Sequence, residues 1–246
     1  MKCIYYDLRR AIAGRWFLAA LIATTTALYL SVGQATYGLI GYLESVEWYE
    51  DGFWYSVSDL LVLGMKGDFG MLTLPALSTL PFAAQALHEI KSGAIRPAVF
   101  RTGRNRWIIG KAAGCVISGM MLQGAAVGLL FLILNGLMRG YAGQWFPWGD
   151  GGDFWPMLLR RMLCGGIWAG VGCVIALATE TAPAAYLAPL CLCYALMMIG
   201  TRFFPDAMML NPMQWVNGAA WLLVILLIIT IALQALFLKR GAQKYV

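Results

Sequence analysis

Long uncharged stretches alternate with short charged ones along this chain, and most of the uncharged stretches are about as long as a bilayer is thick. A helix crosses the hydrocarbon layer with about 20 predominantly apolar residues. Six windows of about that length or more carry no Asp, Glu, Lys or Arg: Trp16 to Leu43, Phe69 to His88, Ala112 to Met138, Met162 to Thr179, Thr181 to Thr201 and Ala207 to Leu238. The last is longer than one span needs. Asn211, Pro212, Gln214 and Asn217 make its first half a polar loop and move the span to about Gly218–Leu238. The pattern predicts an all-α membrane protein of six transmembrane helices, near 16–40, 69–87, 108–138, 157–179, 182–201 and 218–238. They form a single transmembrane domain over residues 1–246, with no nucleotide-binding domain. The first window exceeds the short apolar core of a cleaved signal and no small-residue cleavage site follows it, so it reads as a retained span. Before it, Ile4, Leu8 and Ile12 recur at four-residue spacing among Lys2, Arg9, Arg10 and Arg15, the pattern of an amphipathic helix lying in the membrane interface. Surface anchoring and docking on another protein are equally open for that helix.

Charge orients the spans. The loops on one side, with both ends of the chain, hold 13 of the 18 Lys and Arg, whereas the other side holds 9 of the 12 Asp and Glu. Cytoplasmic loops carry the excess of cations, so both termini are expected in the cytoplasm. Trp48, Trp54, Trp145, Trp148, Trp155, Trp215 and Trp221 fall at the outer boundary, where an aromatic belt belongs, and Trp168 sits mid-span.

Composition agrees: 61% of residues are hydrophobic and 12% charged, with a mean hydropathy of +0.70, more apolar surface than one soluble core can hide. Six cysteines, mostly inside apolar runs, show no paired extracellular framework. The net charge of +6 is explained by cations flanking membrane helices and meeting anionic lipid, so lipid is an expected partner and nucleic acid is not.

Catalytic patterns fail on spacing. His88-Glu89 begins like a zinc-protease helix, but position 92 is Ser where a second His is needed. Gly103 to Lys111 ends in Gly-Lys, yet six residues separate its glycines and Ala112 follows where a phosphate loop needs Ser or Thr. Asp150 and Asp153 in a Gly-rich stretch read as a solvated turn. No catalytic residue, metal site or cofactor is expected on this chain. Glu180 falls in a tight turn, and Arg160 and Arg161 fall at the outer end of the fourth span, where their long side chains can snorkel to water. Thr24, Thr25, Thr26, Gln34, Gln85 and Gln123 lie in or near spans; they are candidates for a substrate path, with hydrogen bonding between helices the commoner use of such groups. The spacings Gly110/Gly114, Gly124/Gly128 and Gly166/Gly170 permit close helix approach, favoured here as packing within the chain over packing between subunits.

The inner loop from His88 to Lys111 is the most specific segment. Ile95, Val99 and Phe100 form an apolar patch at helical spacing in a basic context, bracketed by Gly93 and Gly103. A short helix that docks on a partner and a basic loop resting on lipid both fit.

At this loop the sequence resembles the ABC-2 type permeases, membrane subunits of a class of ABC transporters. Their second span runs into Glu, two variable residues, a polar residue and Gly; a short helix and an Arg before a Gly-Lys pair follow. Here the match is Glu89, Ser92 and Gly93, the segment Ile95 to Phe100 with Arg96, Pro97 and Val99, then Arg104 or Arg106, and Gly110-Lys111. The amphipathic start, six spans, the turn near Glu180 and the excursion at Asn211-Pro212 extend the likeness over nearly the whole chain.

The resemblance implies a type V-like fold and a plasma (inner) membrane permease of a bacterial exporter, moving a peptide, antibiotic or other amphipathic molecule. It implies a second permease subunit, identical or related, and two copies of a separate ABC ATPase subunit that carry the ATP and Mg and dock on the inner loop. A membrane immunity or assembly factor without an ATPase, and an ATP-independent channel or carrier, are the competing classes.

Overall fold

The computed structural model describes residues 2–45, 56–142, 152–204, 211–218 and 220–245, and within them side chains other than those of 2–6, 34, 38–45, 138, 140–142 and 244–245. They form ten α-helices and no strand: α1 Lys2–Ile12, α2 Arg15–Ser45, α3 Val57–Lys66, α4 Asp68–Thr79, α5 Gln85–Lys91, α6 Ile95–Thr102, α7 Arg104–Ala142, α8 Phe154–Thr179, α9 Ala182–Phe203 and α10 Ala220–Tyr245. Five of them, α2, α7, α8, α9 and α10, are long and apolar enough to cross a membrane, and α3 with α4 makes a sixth candidate only as a pair bent by 65°. The chain is a helical membrane protein.

The second expected span is not one helix. An unbroken helix over 69–87 does not form; α4 stops at Thr79, a turn follows, and α5 begins at Gln85. Pro81 has no N–H with which to extend α4. At the other end, α3 occupies residues expected to be loop. Its start is set by a capping box, Ser56 Oγ accepting from the Asp59 N–H while the Asp59 carboxylate accepts from the Ser56 N–H. Gly67 separates the two helices in an extended conformation, and a Cβ there would stand 2.3 Å from Ser31 Cβ on α2, so the break needs glycine for its close approach. Ser31 Oγ then accepts from the Gly70 N–H, covering one of the unpaired donors at the start of α4.

α8 is the central helix, with α7 against one side. At their closest point a Cβ on Gly119 would lie 2.5 Å from the Gly165 carbonyl, so the backbones meet directly. Gly166 faces Val116 and Met120, Gly170 faces Thr230 and Gln234 of α10, and Gly124 faces Met162. These glycines serve packing within the chain; Gly128 has open space where a side chain would go.

One expectation about the tryptophans changes. Trp215 does not sit in an aromatic belt: it is buried and stacks on Trp168 with ring centroids 5.6 Å apart and planes at 19°. The segment around the short 3-10 turn Pro212–Gln214, started by Asn211 Oδ1 accepting from the Met213 N–H, therefore folds in against α8. Trp155 and Trp221 are exposed, as a belt requires. Trp48, Trp54, Trp145, Trp148 and Asp150 lie outside the described residues.

Candidate functional site

Chemistry-bearing side chains gather in two places, each around a buried cation. The first lies where α1, α5 and α7 meet. Lys111, in the third turn of α7, is 3% exposed. Its Nζ donates to Asp7 Oδ1 at 2.6 Å and to Glu89 Oε1 at 2.7 Å, and lies 5.6 Å from the centre of the Phe82 ring. Arg10 stands 3.8 Å from the same Glu89 oxygen at the exposed edge. A cation shared by two carboxylates ties α1 to both ends of the segment from Glu89 to Lys111. Glu89 and Lys111, singled out by the sequence pattern, thus hold the loop in place and present nothing outward. Asp7 was missed; its signal is that it is the one acid in an otherwise basic amphipathic helix.

Between those two anchors the loop forms α6 where the spacing predicts it. Gly93 and Gly103 bracket it with φ of +74° and +79°, a region disfavoured for residues with a Cβ. Gly103 pairs that φ with a ψ of 144°, which is nearly glycine-only territory. Ser92 caps α5, its hydroxyl donating to the Glu89 carbonyl at 3.3 Å. The expected apolar patch splits in two. Ile95 is fully buried among Trp107, Leu87 and the neighbouring helices, Val99 is half-buried, and Phe100 is 96% exposed. A single helical turn cannot place i and i+5 on one face, so the inner residue anchors and the outer one projects. Arg96, Pro97 and Arg101 surround Phe100 on the exposed side, and Arg106 is exposed beyond it. Arg104 turns back, one guanidinium nitrogen donating to the Lys239 carbonyl of α10 at 2.9 Å.

The second cation is Arg161. It does not snorkel. It is fully buried, and its partners are backbone and amide groups: Nε donates to Gln123 Oε1 at 3.1 Å, and the two terminal nitrogens donate to the Met65 carbonyl at 2.8 Å and the Gly70 carbonyl at 2.9 Å. Gln123 Nε2 in turn donates to Ser78 Oγ at 2.9 Å. Met65 lies in the last turn of α3, whose carbonyls lose their helical donors at the Gly67 break, and Arg161 supplies one.

The candidate path residues whose side chains are described are engaged in separate contacts. Thr24 is buried and its hydroxyl donates to the Ala20 carbonyl; Gln123 is held by Arg161; Gln85 sits beside Glu89 at the start of α5. Thr25 lines an apolar groove of about 380 Å³ between α2 and α7 with Thr26, Tyr29 and Leu129, though its hydroxyl is spent on the Leu21 carbonyl at 2.8 Å. Gln34 lies on α2, its side chain outside the described residues. Among the described residues no group of three His, Cys, Asp or Glu is placed to hold a metal ion. Comparison with protein-family models finds no match, and comparison with curated proteins finds none.

Proposed function

We propose that this chain is the membrane-spanning permease subunit of an ATP-driven exporter of the ABC-2 kind, with six spans, both termini cytoplasmic and α6 as the docking element for a separate ATPase subunit. The observation that carries the reading is Phe100: an aromatic ring 96% exposed on a helix whose opposite side is anchored through Ile95. Burying such a ring in a partner's pocket is worth about 1.5–3 kcal/mol. Large aromatics with arginines around them are also the residues that dominate protein interfaces. The basic surroundings, Arg96 and Arg101, select a groove with an acidic rim. The Lys111 tie and the bracketing glycines support the same reading, because a helix that transmits force must be fixed at both ends. Energy then enters from the partner: a second permease subunit and two ATPase subunits complete the machine, ATP-driven closure biases a two-state equilibrium in helix packing, and a peptide or amphipathic antibiotic is the cargo class that the family resemblance suggests.

The test is co-expression with an ABC ATPase subunit found in its gene neighbourhood, purification from mild detergent, and reconstitution in vesicles. Phe100→Asp should abolish copurification and ATP-dependent uptake while leaving membrane insertion intact, since it adds charge at the contact and touches no packed neighbour. Normal assembly and transport by Phe100→Asp would reject the docking assignment. Substrate movement against a gradient by the chain alone would favour an ion-coupled carrier, and a complete complex moving no peptide, drug or lipid would favour the immunity or assembly factor.

A further inference from the structure

Away from α6 and from both buried cations, the ends of α5, α8 and α10 enclose a cavity of about 190 Å³. Its walls are apolar, from Leu87, Ile90, Leu177 and Phe237, and its mouth carries Lys91 and Arg240 from two different helices. Lys91 Nζ gives one proton to the Glu180 carbonyl at 2.5 Å and keeps two. Arg240 stacks over Phe237, its guanidinium carbon 5.8 Å from the ring centre, which leaves its edge free to donate. No carboxylate among the described residues forms an ion pair with either cation. The turn at Glu180 is built to this arrangement: Glu180 adopts φ of 55°, the one positive φ outside glycine among the described residues, and it is this residue's carbonyl that meets Lys91.

We propose that this cavity seats the headgroup of an anionic phospholipid, with a phosphodiester between Lys91 and Arg240 and the first acyl carbons on the apolar wall. The lining holds two cations and one acid, Glu180, so among the described residues positive charge is in excess there, as a phosphodiester requires. Lipid is favoured over free phosphate because the cavity lies where the apolar runs of α8 and α10 end, so one occupant can satisfy cations and hydrocarbon together. A volume equal to about six waters, at roughly 30 Å³ each, has room for a phosphate group. The inference rests on the chain being a membrane protein and needs neither the transport reading nor an ATPase.

The full-length chain in mild detergent would be titrated with phosphatidylglycerol, phosphatidylcholine and inorganic phosphate, reading bound lipid by native mass spectrometry and the unfolding midpoint by tryptophan fluorescence. Phosphatidylglycerol should bind more tightly than phosphatidylcholine. The preference should fall about fivefold with Lys91→Gln or Arg240→Gln, and about 30-fold with both. Lys91→Arg should keep it. Equal binding of the two lipids by the unaltered chain, an unchanged preference in the double variant, or full displacement of the lipid by inorganic phosphate at equal phosphate concentration would each overturn the proposal.

Discussion

Lys111 and Arg161 are both cations withdrawn from water, and the structure settles their charge in opposite ways. Lys111 has two carboxylates within 2.7 Å, and Arg10 at the edge adds a second positive charge. Arg161 has no carboxylate among its partners; three neutral oxygens, two of them main-chain carbonyls, take its donors. In the first place charge holds charge, so the tie is strong but sensitive to removal of either sign. In the second, a planar fork of donors repairs a backbone that Gly67 has broken, and the cation is tolerated because it covers carbonyls that would otherwise be bare. Both join elements distant in sequence: α1, α5 and α7 through Lys111, and α3, α4, α7 and α8 through Arg161.

The contrast is broken most directly by removing the cations. Lys111→Met removes the cation that two nearly buried carboxylates share and leaves exposed Arg10, 3.8 Å away, as the counter-charge at Glu89, which costs about 3–5 kcal/mol. Adding Asp7→Asn and Glu89→Gln should recover most of that loss, since no net charge then remains buried. Unfolding titrations in mild detergent give both numbers, and an unchanged midpoint for the single variant would mean that the cluster is solvated. Arg161→Met has a smaller expected loss, about 1–3 kcal/mol. Each abandoned acceptor costs about 1–3 kcal/mol, but the variant also relieves the several kcal/mol spent desolvating the guanidinium. Its local signature should be faster amide exchange around Met65–Gly70. A loss exceeding that of Lys111→Met would show that the carbonyl clamp is the stronger of the two.

Next in size is Gln123→Leu. It removes the acceptor of Arg161 Nε and the donor to Ser78, and hydrogen bonds between membrane helices average about 0.6 kcal/mol, with about 1.7 at the upper end. Because Gln123 acts through Arg161, the double variant with Arg161→Met should lose less than the sum of the two single losses. Strict additivity in that cycle would mean that the two side chains do not work as one unit.

The sequence shows the five long apolar helices, the amphipathic α1 and α6 because each is written in local period: apolar windows, a four-residue recurrence, and glycines where the chain must turn. It also marks Glu89 and Lys111 as part of a pattern, without showing that they meet each other through Asp7, 104 residues before Lys111. Arg161 was misread for a physical reason. A cation near the end of an apolar window has two ways to avoid hydrocarbon, reaching water or finding bare carbonyls, and hydropathy contains only the first. The signal lay in another segment, in Gly67 between Lys66 and Asp68 and in Pro81 shortly after, which together announce a broken helix and therefore unpaired backbone groups needing a donor. Neighbouring Arg160, with one donor contact of 3.4 Å to the Val216 carbonyl, shows that two adjacent arginines on a helix cannot share one fate, since they point about 100° apart. Trp215 was misread in the same way: a loop tryptophan is at home in an interface, and only the partner ring of Trp168 decides that it turns inward.

The smallest expected effect sharpens the comparison from the edge of the Lys111 cluster. Arg10 is 73% exposed and stands 3.8 Å from Glu89, so it adds little Coulomb energy at high dielectric and spends side-chain freedom to hold its position. Arg10→Gln should change stability by no more than about 0.5 kcal/mol and should make that small change vanish at high salt. The same screening should leave the loss from Lys111→Met nearly intact, because Lys111 is shielded from mobile ions. Measuring both variants at low and high salt therefore separates a surface pair from a buried tie within one cluster. If the Arg10→Gln loss exceeds 1 kcal/mol and survives high salt, Arg10 belongs to the tie, and Glu89 is balanced by two cations of comparable weight.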